Sequence, residues 1–224
     1  AVFLMTAGGT SVYYAAQLYA LVFLERTLKL DGLTADVLIA VALAIAAPSY
    51  LLVGWLSDRI GRKIVILGGC VIAAFALFPL FHQLTLAANP ALAAAQQRAP
   101  VVVVADPATC AFQFDPLNTR HFDRTGCDVA HAFLSKAGVN YRNQAGAAGA
   151  PAEIHVGPAR VTASNALVSA DAAELQTELR GALTTAGYPE KAAPEAVNKP
   201  VVVLLAVVLA ILGALVFAPA AAFL

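Results

Sequence analysis

The decapeptide GWLSDRIGRK, residues 54–63, carries four charges and two glycines between two long runs, 37–57 and 64–97, that hold no Asp, Glu, Lys or Arg. A solvent-exposed helical hairpin explains such a turn blandly. A short loop between two membrane spans explains it specifically, and the rest of the chain decides between the two. The 224 residues are 60% hydrophobic and 12% charged, against about 25% charge in ordinary soluble domains. Only nine of the charged residues lie in 1–84 and none lies in 201–224. Formal net charge is +0, which offers nothing to a nucleic acid or another polyanion.

Crossing a bilayer core takes about 20 mostly apolar residues in helix, and four segments have that length: 1–24, 37–56, 64–84 and 201–224. Buried core helices of a soluble protein would show polar faces and caps, so we expect an all-α membrane bundle. Its three leading helices occupy 1–84, an extracytoplasmic α+β insert occupies 85–199, and the fourth helix occupies 200–224. Pro48 and Pro79 should kink the second and third spans. The run opening at Ala1 has no basic leader and small-residue cleavage site, and the last run stops at Leu224. We therefore expect an internal piece of a longer polypeptide.

Lysine and arginine in short loops orient the spans. Loop 57–63 has Arg59, Arg62 and Lys63 against Asp58, while loop 25–36 is mixed. The first should be cytoplasmic and the second should face the other side, which puts 85–199 outside the cytoplasm. Gly61 should supply the freedom for a sharp turn, and Gly54 should let a neighbouring helix approach closely. Asp58 has Arg59, Arg62 or a helix N-terminus as partners.

The spacing in this turn resembles the signature of the major facilitator superfamily, G-x-L-x-D-R-x-G-R-K/R, at Gly54, Leu56, Asp58, Arg59, Gly61, Arg62 and Lys63. The flanks, SVYYAAQLYALVFLERTLKLDGLTADVLIAVAL and the later PVVVVADPATCAFQFDP, resemble the second half of its metabolite:proton symporter group. The resemblance implies that the four spans are helices seven to ten of a twelve-helix transporter, with an exported loop between nine and ten. It implies a secondary active transporter in a bacterial inner membrane, moving a small polar metabolite such as an organic acid or osmolyte with protons by alternating access. It also implies that Gly54, Asp58, Arg59, Gly61, Arg62 and Lys63 form a conformational latch, and that the partners are the bilayer, the substrate, protons and the remaining half of the transporter.

Within the first span Thr6, Thr10, Tyr13 and Gln17 recur at helical spacing, with Tyr14 beside them. Polar side chains at membrane depth face a cavity or another helix. In the implied helix seven, Thr10, Tyr13, Tyr14 and Gln17 become substrate-cavity candidates; helix–helix hydrogen bonding beside Gly8-Gly9 is the other reading. No ionisable residue falls mid-span, so proton coupling rests wholly on the resemblance.

The insert should contain a buried strand at 101–107, a hairpin at 152–163 and amphipathic helices at 127–138 and 169–187. Those helices stop at Gly138 and Gly187, the second burying Ala172, Leu175, Leu179, Ala182 and Leu183. Residues 144–152 read as a flexible connector. Cys110 and Cys127 suit a disulfide outside the cytoplasm, worth about 3 kcal/mol for a loop of that size; two free thiols are the alternative. His121, His131 and His155 lack ligand spacing and read as surface histidines, so we expect no metal and no cofactor. Nucleophile, base and orienter do not come together, so we expect no enzyme. The rival to transport is a membrane-anchored extracytoplasmic module that binds a ligand or partner.

Overall fold

The computed structural model describes residues 2–108, 110, 125–164 and 169–221, with side chains apart from those of residues 2–6, 169, 170 and 221. It divides into two compact units, Ala1–Pro90 with Lys191–Leu224, and Ala91–Glu190.

The first unit holds helices α1 (Val2–Ala16), α2 (Leu18–Val22), α3 (Gly32–Ile60), α4 (Arg62–Ala88) and α8 (Lys199–Ala221), with a π-helical turn at Phe23–Thr27. Three helices, Gly32–Ile60, Arg62–Ala88 and Lys199–Ala220, are long and apolar enough to cross a membrane. At 1.5 Å per residue the 29 residues of α3 reach about 43 Å, beyond the roughly 30 Å hydrocarbon core, so its polar ends extend past the apolar run.

The first expected span, 1–24, is not one such helix. It breaks after Ala16, and Phe23–Thr27 adopts π geometry in which the Leu28 N–H reaches the Phe23 carbonyl at 2.9 Å. Hydrophobicity cannot register this break, because the residues next to Gln17, Ala15-Ala16 and Leu18–Leu24, are apolar or aromatic on both sides. Helices α3 and α4 continue through Pro48 and Pro79. The expected loop 57–63 contracts to Gly61 alone: α3 runs to Ile60 and α4 starts at Arg62. Gly61 sits at φ 105, a conformation that costs a side chain strain. Its N–H closes α3 on the Ser57 carbonyl and its own carbonyl opens α4.

Helix α8 packs on α1, α3 and α4 together, and α3 and α4 lean on it more than on one another. Fully buried Val216 lies between two glycines, where a Cβ on Gly9 of α1 or Gly69 of α4 would fall 2.9 Å from its methyls. Helices in lipid lack a hydrophobic drive toward each other, so close approach of small residues supplies the contact. Gly54 departs from this: a Cβ there would meet nothing within 4 Å, so the expected neighbouring helix is not found among the described residues.

Asn89, 2% exposed, donates from Nδ2 to the Leu28 carbonyl at 3.0 Å. The Ala192 N–H reaches the carbonyl of Lys29, a residue at φ 59, and the Asn198 N–H reaches that of Ala87. Three chain segments far apart in sequence are thereby fastened at one place.

The second unit contains α5 (Pro90–Arg98), β1 (Val101–Ala105), α6 (Gly126–Lys136), β2 (Tyr141–Ala145), β3 (Ala152–Val156), β4 (Ala159–Ala163) and α7 (Ser169–Thr185). The sheet order is β2-β1-β3-β4, with β1 parallel to β2 through α6, and β3 antiparallel to both β1 and β4. Alternation in β1 and β3 buries Val101, Val103, Ile154 and Val156 under Leu134 of α6 and Leu175, Leu179 and Leu183 of α7. Ala172 and Ala182 sit only half-buried at the edge of that face. Gly138 and Gly187 end their helices at φ 65 and 84.

Two elements escape the sequence reading. Strand β2 is exposed along most of its length and shows no alternation, and α5 is a short alanine-rich turn of helix. The expected connector 144–152 is partly strand: Gln144 and Ala145 end β2 and Ala152 begins β3. Its middle is anchored by the Gly149 N–H, 2.8 Å from the Asp106 carboxylate.

Gly69→Val should crowd Leu215 and Val216 and cost about 1–3 kcal/mol of stability. It should lower the thermal midpoint of the purified chain in detergent, whereas Gly54→Ala, with open space around it, should leave the midpoint unchanged or slightly raised.

Candidate functional sites

Three places on the molecule gather chemistry. In the membrane unit, Tyr13 stacks on Phe217 of α8 with ring centroids 4.3 Å apart and meets Tyr14 edge-on at 5.9 Å. Gln17, at the break between α1 and α2, donates from Nε2 to the Tyr50 hydroxyl of α3. Gly213 of α8 keeps this place open, since a Cβ on it would lie 3.4 Å from Gln17 Nε2. A small crevice of about 190 Å³, its open mouth included, is lined by Gln17 with Ile39, Leu43, Ala206 and other apolar neighbours. Gln17 is the polar side chain in that lining; Tyr13 is half-buried beside α8, and Thr10 and Tyr14 are exposed. The polar stripe is thus split, and Tyr50 is the partner that helical spacing within the first span cannot reveal. The Thr6 side chain lies outside the described residues.

At the α3–α4 turn, Asp58 and Arg62 pair at 3.1 Å, with the Asp58 side chain 61% exposed. Arg59 lies over the Trp55 ring, 4.2 Å from its centroid. Lys63 is exposed, and Ser57, fully buried, donates to the Gly54 carbonyl at 2.7 Å. An exposed i,i+4 ion pair contributes at most about 1 kcal/mol, so little energy ties Asp58 to this partner.

In the second unit Cys110 and Cys127 are joined as a disulfide with Cα atoms 5.5 Å apart. Cys127 stands in the first turn of α6, whose N-cap Thr125 accepts from the Asp128 N–H at 3.2 Å. Gly126 lets that turn press against the end of β4: a Cβ there would fall 2.5 Å from Ala163 Cβ, and its N–H reaches the Ser164 carbonyl at 2.9 Å. His131 is no surface histidine. One turn after Cys127 it is 3% exposed, stacked on Tyr141, with Nε2 bonded to Asn143 Oδ1 at 2.9 Å. Its Nδ1 lies 4.0 Å from the Cys110 sulfur and its Nε2 lies 3.8 Å from that of Cys127. Burial pushes its pKa below the usual histidine value, against the Asn143 hydrogen bond and nearby Asp128. The i,i+4 spacing of Cys127 and His131 was the signal for this neighbourhood. Cys110, Cys127 and His131 present ligand atoms within 4.8 Å of one another, but sulfurs joined to each other carry no thiolate charge for a metal. His155 pairs with Glu153 at 3.0 Å, and His121 lies outside the described residues.

Over 72 residues the chain is 39% identical to the "Putative proline/betaine transporter" of Staphylococcus aureus strains COL, MSSA476 and N315, a match covering 31% of this chain and 16% of each relative. No family model matches, and no solved structure matches. The chain therefore spans about 16% of the length of the curated relatives it matches. With three helices long and apolar enough to span, it is a multi-pass membrane protein.

Two measurements check these sites. A double-mutant cycle of Gln17→Leu and Tyr50→Phe should show a coupling of about 0.6–1.7 kcal/mol in detergent unfolding. The Asp106 carboxylate accepts N–H bonds from Gly149 and Ala108, which hold its pKa below the ordinary 3.8. Its stabilising contribution is present above that value and is lost as pH falls through the lower folded pKa. Thermal midpoints taken down to pH about 3 should therefore drop more steeply for the natural chain than for Asp106→Asn.

Proposed function

We propose that the chain is part of a secondary active transporter of the major facilitator type, in the metabolite:proton symporter group. Its four apolar segments act as helices seven to ten, with residues 57–63 cytoplasmic, residues 85–199 extracytoplasmic, and the whole in a bacterial inner membrane. The observation that carries this reading is the signature turn. Gly61 joins two long apolar helices at φ 105, while Asp58 and Arg62 form an exposed pair beside Arg59. Similarity to a protein named as a proline/betaine transporter supports transport over enzymatic turnover. It also supports a small zwitterionic osmolyte over an organic acid as cargo.

A latch works by contacts that differ between two states, since equal contacts shift no equilibrium. Asp58 suits this, because its pairing in the present arrangement is weak and solvent-facing. The place where Gln17 and Tyr50 meet beside Tyr13 and Gly213 is the cavity wall this piece contributes, and Tyr14 and Thr10 are exposed. The described spans carry no mid-membrane carboxylate, and proton coupling rests on the family resemblance. Cytoplasmic Arg59, Arg62 and Lys63 sit at the lipid surface.

One observation favours the rival reading of an anchored binding module: residues Ala91–Glu190 form a compact unit of their own. Uptake of radiolabelled proline and betaine into membrane vesicles separates the two. With the full-length protein, uptake should rise with an imposed proton gradient, and an anchored module would show none. Asp58→Asn should lower uptake about fivefold or more, as loss of a state-dependent coupling near 1 kcal/mol does, with folded protein in the membrane little changed. Equal loss of both would defeat the latch assignment.

A further inference from the structure

We propose that the Cys110–Cys127 disulfide is a site of reversible thiol–disulfide exchange with a dithiol, and that His131 serves it as proton carrier. The inference stands apart from the transport reading, because it concerns the second unit alone and is tested on the sulfurs themselves.

Exchange depends on which sulfur is reached, which sulfur leaves, and where the protons go. The structure treats the two cysteines differently. Cys110 is half-exposed, in the segment after β1, its N–H bonded to the Asp106 carbonyl at 2.9 Å. Cys127 is 3% exposed. An incoming thiolate therefore reaches the Cys110 sulfur, and Cys127 is the leaving group. That leaving sulfur stands in the first turn of an 11-residue helix, the crossover of a parallel β1–α6–β2 unit. A helix N-terminus stabilises a thiolate and lowers its pKa, and a leaving thiol of lower pKa departs faster. Asp128 in the same turn opposes this in part.

The imidazole touches both sulfurs. Its Nε2 faces Asn143 Oδ1, an acceptor, so the ring proton resides on Nε2 and Nδ1 offers its lone pair toward Cys110. Tyr141 stacks on the ring and keeps it in that plane.

The steps balance. The first thiolate of the dithiol forms a mixed disulfide with Cys110, and the Cys110–Cys127 bond breaks to leave the Cys127 thiolate, which takes up the proton that the first thiol released. The second thiol gives its proton to His131 Nδ1 and attacks the donor's own sulfur in the mixed disulfide. The Cys110 thiolate is released and receives that proton from Nδ1. The dithiol ends as a disulfide and this chain as two thiols, and the reverse sequence restores it. The exchange is a stoichiometric modification of the chain.

The test uses the intact chain in lipid nanodiscs, treated with dithiothreitol and quenched with a thiol-reactive polyethylene glycol that shifts its mobility. The disulfide should open and re-form while circular dichroism stays native. Cys127→Ser should trap glutathione disulfide as a stable adduct on Cys110, at least about tenfold faster than Cys110→Ser traps it on Cys127. His131→Ala should slow reduction by about a hundredfold, and His131→Gln, which restores a hydrogen bond but cannot take up and release a proton, should not recover the rate. Three results would overturn the proposal: opening only after the chain is unfolded, equal trapping by the two serine variants, or stoichiometric Zn2+ retention by the reduced chain that blocks re-oxidation. The last would make Cys110, Cys127 and His131 a metal site.

Discussion

Inside a bilayer no water receives an unpaired N–H or C=O, so the chain must satisfy its backbone within each span. Helix is the only secondary structure of a single segment that does so. Once every span is helical and greasy, hydrophobicity no longer distinguishes one neighbour from another, and what remains is how closely two backbones approach. Val216 is where this molecule settles that question. Gly9 and Gly69 both yield space to its methyls, so α1 and α4 close on α8, and α3 follows through Val53 beside Ala214. The polar contacts inside the bundle are few for the same reason: Gln17 with Tyr50, and buried Asn89 at the end of α4.

Charge is confined to the ends of the spans, where it is solvated. The turn at Gly61 is compact because α3 and α4 keep their helical hydrogen bonds through the polar residues on either side. Asp58 is left with an exposed, weakly bound partner. A strong buried pair would fix one arrangement, whereas a weak exposed one leaves its carboxylate free to choose between arrangements. In the proposed transporter that property is the useful one.

The second unit is built by a different rule. Its sheet buries alternate residues, its helices cover one face, and a glycine without room for a side chain brings the start of α6 against β4. That contact places Cys127 and His131 on the core side of α6, and the disulfide ties the segment after β1 to the same point.

The existence of three long apolar helices, the charged turn, the hairpin at 152–163, the helix α6 and the leucine face of α7 were all legible in the sequence. Each is a local consequence of residue type and period, so nearby residues suffice to state it. Strand β2 and helix α5 were not legible, because an exposed edge strand has no alternation and a nine-residue alanine-rich helix has little pattern. The break at Gln17 was hidden as well, since apolar residues on both sides look alike. What only the tertiary structure decided are the partners. Gln17 meets Tyr50, Val216 meets Gly9 and Gly69, and His131 turns inward to two sulfurs rather than outward to water. Those pairings join residues that share no local period, and their geometry comes from how whole elements pack.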